Sequence, residues 1–384
     1  MVSRAQRGAV ADWFWTIDRF FLVLFLLLMG IGFMLSFAAS PAVAERIGLE
    51  PFHFVKRHAA FMLPSLMVMI GLSFLTPRQV RRAAIILLIV SIGMMILALF
   101  FGVEIKGSRR WFSIGSFGVQ PSEFMKPAFV VVCAWLFAEH ARQPEIPGNL
   151  FAIILFGMVA ALLVAQPDLG QTILTTAVWG SMFFMAGMPW IWIILLGFGG
   201  AGGIVTAYYV FPHVAGRIDK FLTGEGDTFQ IDTAREAIIR GDWFGQGPGE
   251  GIVKRIIPDA HTDFIFSVAA EEFGIVFCMA LVALFSILVL RGLSHAYREK
   301  NDFNRFAVAG LVLQLGIQSI INVGVNLELL PAKGMTLPLI SYGGSSMIAI
   351  CVTAGFILAL TRHRPEKRAQ ERSLFRVSRA VPAE

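Results

Sequence analysis

Charge is scarce in this chain. Only 15% of its 384 residues are Asp, Glu, Lys or Arg, against 56% that are hydrophobic. A soluble domain needs more charged surface than that, and the apolar residues fall in runs long enough to cross a bilayer. Length alone would divide a soluble chain into two or three domains, but a polytopic bundle of this size is one unit, 1–384. Cysteine is nearly absent. Cys133, Cys278 and Cys351 each sit in an apolar run, where they read as small helix hydrophobes and leave no disulfide framework or metal-ligand spacing. There is no P-loop and no glycine motif between a strand and a helix, so a nucleotide site is not expected. The N-terminus shows no cleavable-signal pattern, and no internal repeat is visible.

What is present is a series of hydrocarbon-length stretches, at about 19–39, 58–75, 83–102, 122–140, 150–165, 171–187, 190–211, 262–290, 304–325 and 341–361. The expected fold class is therefore an all-α polytopic membrane protein, a bundle of about ten transmembrane helices. Pro41 is expected to stop the first span. Segment 76–82 reads as a short basic turn and 103–121 as a polar loop. Ser122 is the expected cap of the fourth span. Gly199 and Gly203 fit either a small-xxx-small contact face or a helix that bends. One large loop, 212–262, is expected to hold short helices. In it Thr233-Ala234-Arg235-Glu236 resembles a capping box, followed by a stopping Gly241 and a glycine-rich turn.

Lysine and arginine gather at the N-tail, Arg78/Arg81/Arg82, Arg142, 291–305 and the basic tail 362–384. By the positive-inside rule that side is cytoplasmic, with both termini inside and the 212–262 loop outside. This distribution accounts for the net charge of +6 without a nucleic-acid partner. The expected outer side breaks the rule locally. Arg109, Arg110, Lys126, Lys254 and Lys333 lie there among Glu123, Asp168, Asp259 and Asp263. A solvated loop of mixed charge explains any one of these residues. It does not explain Lys126, which falls within an apolar span and needs an anion, either a protein carboxylate or a phosphate-bearing lipid head group.

Asp263 is the focal residue. It stands where a polar loop enters the eighth span, an expensive place for a carboxylate and near enough to water to exchange protons. On a straight helix Glu271 would be turned about 80° from it and lie about 12 Å deeper, so no carboxylate dyad is expected. His261 is the competing base, with loop orientation as its alternative role. Ser341, in Ser341-Tyr342-Gly343-Gly344-Ser345-Ser346, supplies a hydroxyl beside flexible backbone.

Several ordered stretches together resemble one family. They are Ser36–Ser40, Arg110-Trp111, Gln120-Pro121-Ser122-Glu123 with Lys126, Gln166–Gly170, Pro258–Phe264 and Leu337–Ser346. In these the chain resembles the SEDS proteins (shape, elongation, division and sporulation), polytopic peptidoglycan glycosyltransferases, over nearly its whole length. Pro331–Pro338 looks like the division branch, because the elongation branch usually lacks a lysine at position 333. Asp259 departs from the pattern, which has glutamate there.

The resemblance implies polymerisation of lipid II, the undecaprenyl-pyrophosphate-linked disaccharide-pentapeptide, into β-1,4 glycan at the outer face of the bacterial inner membrane. Asp263 would be the essential general base, with inversion at the donor sugar. Arg109, Arg110, Lys126, Lys254 and Lys333 would be candidates to hold the departing diphosphate, with Glu123, Asp259, His261 and Ser341 completing the substrate site. No firm cofactor is implied, with Mg2+ or Mn2+ at the pyrophosphate left open. The implied partners are a class B penicillin-binding protein transpeptidase, other divisome membrane proteins and membrane lipid. Two rivals stand beside this expectation. A lipid II flippase should carry midplane ionisable groups and repeats, and only Glu271, Glu272 and the glycine-rich seventh span favour one. In a non-catalytic divisome scaffold Asp263 would merely pair with a lysine.

Overall fold

The computed structural model describes residues 8–105, 108–114, 117–210, 215–216, 219, 229–331 and 334–363. Helices dominate it: α1 Ala9–Thr16, α2 Arg19–Arg46, α3 His53–Ser73, α4 Pro77–Phe101, α5 Pro121–Arg142, α6 Gly148–Ala165, α7 Leu169–Met185, α8 Trp190–Val210, α9 Phe229–Gly241, α10 Ile265–Arg298, α11 Asp302–Asn326 and α12 Gly344–Leu360. Ten of these overlie the ten expected spans. Seven, α2–α6, α10 and α11, are long and apolar enough to cross a membrane. α12 and the Trp190–Gly203 part of α8 are shorter apolar helices.

Several boundaries differ from expectation, each for a physical reason. α2 runs through Pro41 to Arg46. Its last turn buries Ala42, Val43 and Ala44, and that packing outweighs one missing N–H donor. The basic stretch 78–82 is not a turn. It forms the first turns of α4, started by a Thr76–Gln79 capping box with Pro77 at the first helical position. Ser122 is not a cap, since Gln120 holds that position and makes no side-chain cap bond. Thr233 likewise lies inside α9, where its hydroxyl donates to the Phe229 carbonyl, although Gly241 does end that helix. The supposed polar loop 103–121 is an antiparallel sheet of β1 Val103–Ile105, β2 Ser108–Ile114 and β3 Phe117–Val119, ordered β1-β2-β3. Among the described residues Gly199 and Gly203 form no contact face, because a Cβ at either would meet nothing within 4 Å.

The bundle is most buried along α5, α11 and α12, while most residues of the apolar stretches of α3, α4 and α6 are not buried. Apolar side chains thus face outward as well as into the core, as a lipid solvent allows.

α10 is two helices joined at a break. Gly274 sits at φ 80°, ψ 176°, a conformation open essentially to glycine alone. Segment 242–247 fills the break. The Glu271 and Glu272 carbonyls accept from the N–H groups of Gln246 (2.9 Å) and Gly247 (3.1 Å). The Ile275 and Val276 N–H groups donate to the carbonyls of Asp242 (2.9 Å) and Trp243 (3.3 Å). A Cβ on Gly274 would lie 2.4 Å from the Trp243 carbonyl oxygen.

The break redirects the helix. Val289 packs where a Gly316 side chain would be, and Ser267 bonds Asn326. Between those contacts α10 uses 22 residues (289 − 267), about 33 Å of straight helix, but α11 only 10 (326 − 316), about 15 Å. The two helices therefore do not lie straight alongside each other over this length.

Candidate active site

The turn before α10 is built to hold Asp263. Asp259 is left-handed, at φ 55°, and its carbonyl accepts from the N–H groups of Thr262 (3.0 Å) and Asp263 (3.1 Å). Aspartate enters this backbone region more readily than glutamate does, which gives a local reason for the shorter carboxylate at 259. From α11, Asn322 and Asn326 donate Nδ2 to the Asp263 carbonyl at 2.9 and 3.0 Å. Asn326 also accepts from the Ser267 hydroxyl at 2.7 Å. With its backbone fixed on both sides, Asp263 keeps a half-buried side chain. A Cβ on Gly334 would be 3.5 Å from its Oδ2, so the 334–342 segment lines the carboxylate.

That segment is laced to the same turn. The Ser341 hydroxyl donates to the Thr262 carbonyl at 2.5 Å and accepts from the Leu337 N–H at 2.8 Å. The Tyr342 N–H donates to the His261 carbonyl at 2.9 Å. Ser341 is buried, and its place is that of a tie between two loops. His261 lies against Phe54 (ring centroids 4.2 Å) and Tyr342 (5.3 Å). Burial pushes its pKa down to about 4, against a smaller opposing effect of Asp259, so the ring is neutral at pH 7 and a poor base there. Its orienting role is the one the geometry favours.

Two candidate cations are engaged internally. Lys126 is 3% exposed and bonds Glu123 at 3.0 Å and Gln318 Oε1 at 3.2 Å. Glu123 also accepts from Gln171 (2.6 Å) and Ser346 (3.2 Å). The protein carboxylate open to Lys126 on sequence grounds is that of Glu123. Lys254 is 5% exposed and pairs with Glu272. Glu271 accepts the N–H groups of Ile252 (2.7 Å), Val253 (2.7 Å) and Lys254 (2.8 Å). Neither Lys126 nor Lys254 is therefore a free cation in this structure. Each is buried against a carboxylate, since an unpaired charge there would cost far more.

Adjacent residues of β2 project to opposite faces, and the two arginines part accordingly. Arg109 is exposed and pairs with Glu104 at 3.3 Å. Arg110 is half-buried and pairs with Asp168 at 3.0 Å. Asp168 in turn accepts from Gln120 at 3.3 Å. Lys333 lies outside the described residues. Among the described residues, no group of three or more His, Cys, Asp or Glu side chains could hold a metal ion.

The structure adds residues that the sequence reading passed over. Gln314, Gln318, Asn322 and Asn326 recur every four positions along α11, and all four are at most 2% exposed. Gln318 bonds Lys126 and the Thr336 carbonyl. Asn322 bonds the carbonyls of Met335 and Asp263. A polar residue every fourth position in an apolar helix was the available clue.

A membrane-embedded helical bundle with one half-buried, backbone-locked carboxylate at its end is the class of protein defined so far. The chain belongs to the FtsW/RodA/SpoVE family of cell cycle proteins, whose family model matches residues 18–366. Among curated relatives, the probable peptidoglycan glycosyltransferase FtsW of Caulobacter vibrioides is 47% identical over 94% of each chain. That of Nitrosococcus halophilus is 35% identical over 86% of this chain and 88% of its own. Among solved structures, one described as "Structural coordination of polymerization and crosslinking by a peptidoglycan synthase complex" aligns at TM-score 0.75 and 27% identity, over 90% of this chain and 97% of the other. The Thermus thermophilus rod shape determining protein RodA aligns at TM-score 0.67 and 27% identity, over 90% and 96%.

Proposed function

We propose that this integral membrane protein is a peptidoglycan glycosyltransferase of the division branch, joining lipid II units into β-1,4 glycan with Asp263 as the general base. Asp263 takes the proton from the acceptor sugar hydroxyl as that oxygen attacks the donor's anomeric carbon in line. The C–O bond to the diphosphate breaks on the opposite face, which inverts the α-linked donor and needs no glycosyl-enzyme. Negative charge then grows on the undecaprenyl diphosphate. Arg109, Arg110 and Lys333 are the candidate cations to meet it: Arg109 and Arg110 also pair with carboxylates but keep accessible side chains, whereas Lys126 and Lys254 are buried in their pairs. Mg2+ or Mn2+ would rely on the diphosphate for most of its ligands, and loss of activity on adding EDTA, restored by either ion, tests that.

The observation that carries this mechanism is the double Asn322/Asn326 grip on the Asp263 backbone, with the carboxylate left half-buried beside Gly334. The active site faces the periplasm, with both termini cytoplasmic, in the inner membrane at the division septum. A class B penicillin-binding protein is the proposed transpeptidase partner. Purified protein is incubated with lipid II, with and without that partner, and the products are separated by size. Glycan ladders support the polymerase. Lipid II moving across liposomes with no ladder would favour a flippase, and neither activity would favour a scaffold.

A further inference from the structure

We propose that Asn322 is a positioning residue, coupling the placement of Asp263 to that of the 334–341 segment. This rests on Asp263 being the base. Asn322 is 2% exposed and has one amide group serving two carbonyls, that of Asp263 at 2.9 Å and that of Met335 at 2.6 Å. Those two residues belong to loops 72 positions apart (335 − 263) that meet at the carboxylate, where a Cβ on Gly334 would be 3.5 Å from Asp263 Oδ2. No other described side chain bonds both of them. Asn326 holds Asp263 and Ser267 but not Met335. Gln318, one turn away, holds the adjoining Thr336 carbonyl at 3.0 Å and Lys126 at 3.2 Å.

A buried amide that donates to two carbonyls fixes their separation, because letting go of either leaves a buried acceptor unpaired. Asn322 therefore helps to set how far the Asp263 backbone stands from the 334–341 segment, alongside the Ser341 tie between the same two loops. Displacements of about 1 Å at a reacting centre cost up to about a hundredfold in rate. Losing the bridge should slow the chemical step more than it weakens substrate binding.

The test uses the full chain in lipid nanodiscs, assayed with lipid II under conditions that give the wild-type ladder. For Asn322→Ala the expected kcat is about ten- to a hundredfold lower, with KM for lipid II within about twofold. Amide hydrogen exchange across 334–341 should quicken in Asn322→Ala and stay slow in Asn326→Ala, which keeps the Met335 contact. Ser319→Ala removes only a hydroxyl bonded to the Leu315 carbonyl of the same helix and should behave as wild type. If Asn322→Ala does not fold, Asn322→Ser keeps one short donor and should show the same kcat-against-KM split. A kcat within twofold of wild type, unchanged exchange across 334–341, or an equal loss in Ser319→Ala would overturn the proposal. An active Asp263→Asn enzyme would instead remove the base and leave the Asn322 measurements as they are, so the two failures are distinguishable.

Discussion

Replacing Glu271 by alanine should unfold the 252–255 region before it alters any chemistry. Glu271 is 0% exposed, and its carboxylate accepts three backbone N–H groups at 2.7, 2.7 and 2.8 Å. Alanine leaves three backbone donors unpaired, two of them buried, at about 1–3 kcal/mol for each buried one. Because they share one acceptor the losses do not add in full, and the expected cost is about 3–5 kcal/mol. Glu271→Gln keeps one acceptor oxygen and should lose roughly half of that. Thermal unfolding in detergent measures the total, and amide exchange over 250–256 locates it. Stability within about 1 kcal/mol of wild type for Glu271→Ala, with unchanged exchange, would refute the structural role. It would return Glu271 to the proton-carrying role that a transporter requires, in which Glu271→Gln abolishes transport and leaves stability intact.

Glu123→Ala should destabilise by about 3–5 kcal/mol, because it strands the buried Lys126 ammonium. Adding Lys126→Met should restore part of the loss in the same unfolding assay, and a double variant less stable than Glu123→Ala would contradict the pairing. His261 should make stability fall on acidification. Its pKa is about 4 when folded against 6.5 for an ordinary histidine, so between those values the unfolded chain binds a proton that the folded chain does not. The stability it contributes is fully present above about pH 6.5 and is lost down to about pH 4, by about 3 kcal/mol. From pH 7 to 4 the melting temperature of wild type should fall relative to that of His261→Phe, and parallel curves would contradict the shift.

Hydrophobic runs alone located ten helices, because burying an apolar stretch in lipid needs no knowledge of its partners. The ends were less legible. Pro41 reads as a stop until the buried Ala42–Ala44 turn is known, and Ser122 reads as a cap until Gln120 is seen to hold that place. The break at Gly274 could not be read from its own neighbourhood, since its hydrogen bonds come from residues 242–247, about thirty positions earlier. Burial of Lys126 was visible in its apolar span, and Glu123 lies three residues before it on the same helix face. Lys254 looked like a loop cation because its partner Glu272 is 18 residues away on another element. Asp263 stood out because a lone carboxylate at the head of an apolar run is costly. The asparagines that hold it escaped notice because α11, at a mean hydropathy of 1.8, still reads as an apolar span despite its amides.

The most direct measurement compares wild type with Asp263→Asn on lipid II, recording both product ladders and lipid II binding. The asparagine keeps the shape of the side chain and removes its capacity to take a proton. If the carboxylate is the base, binding persists and the ladder disappears. A mutant ladder equal to that of the wild type would show that the proton goes elsewhere and that Asp263 is not the catalytic group.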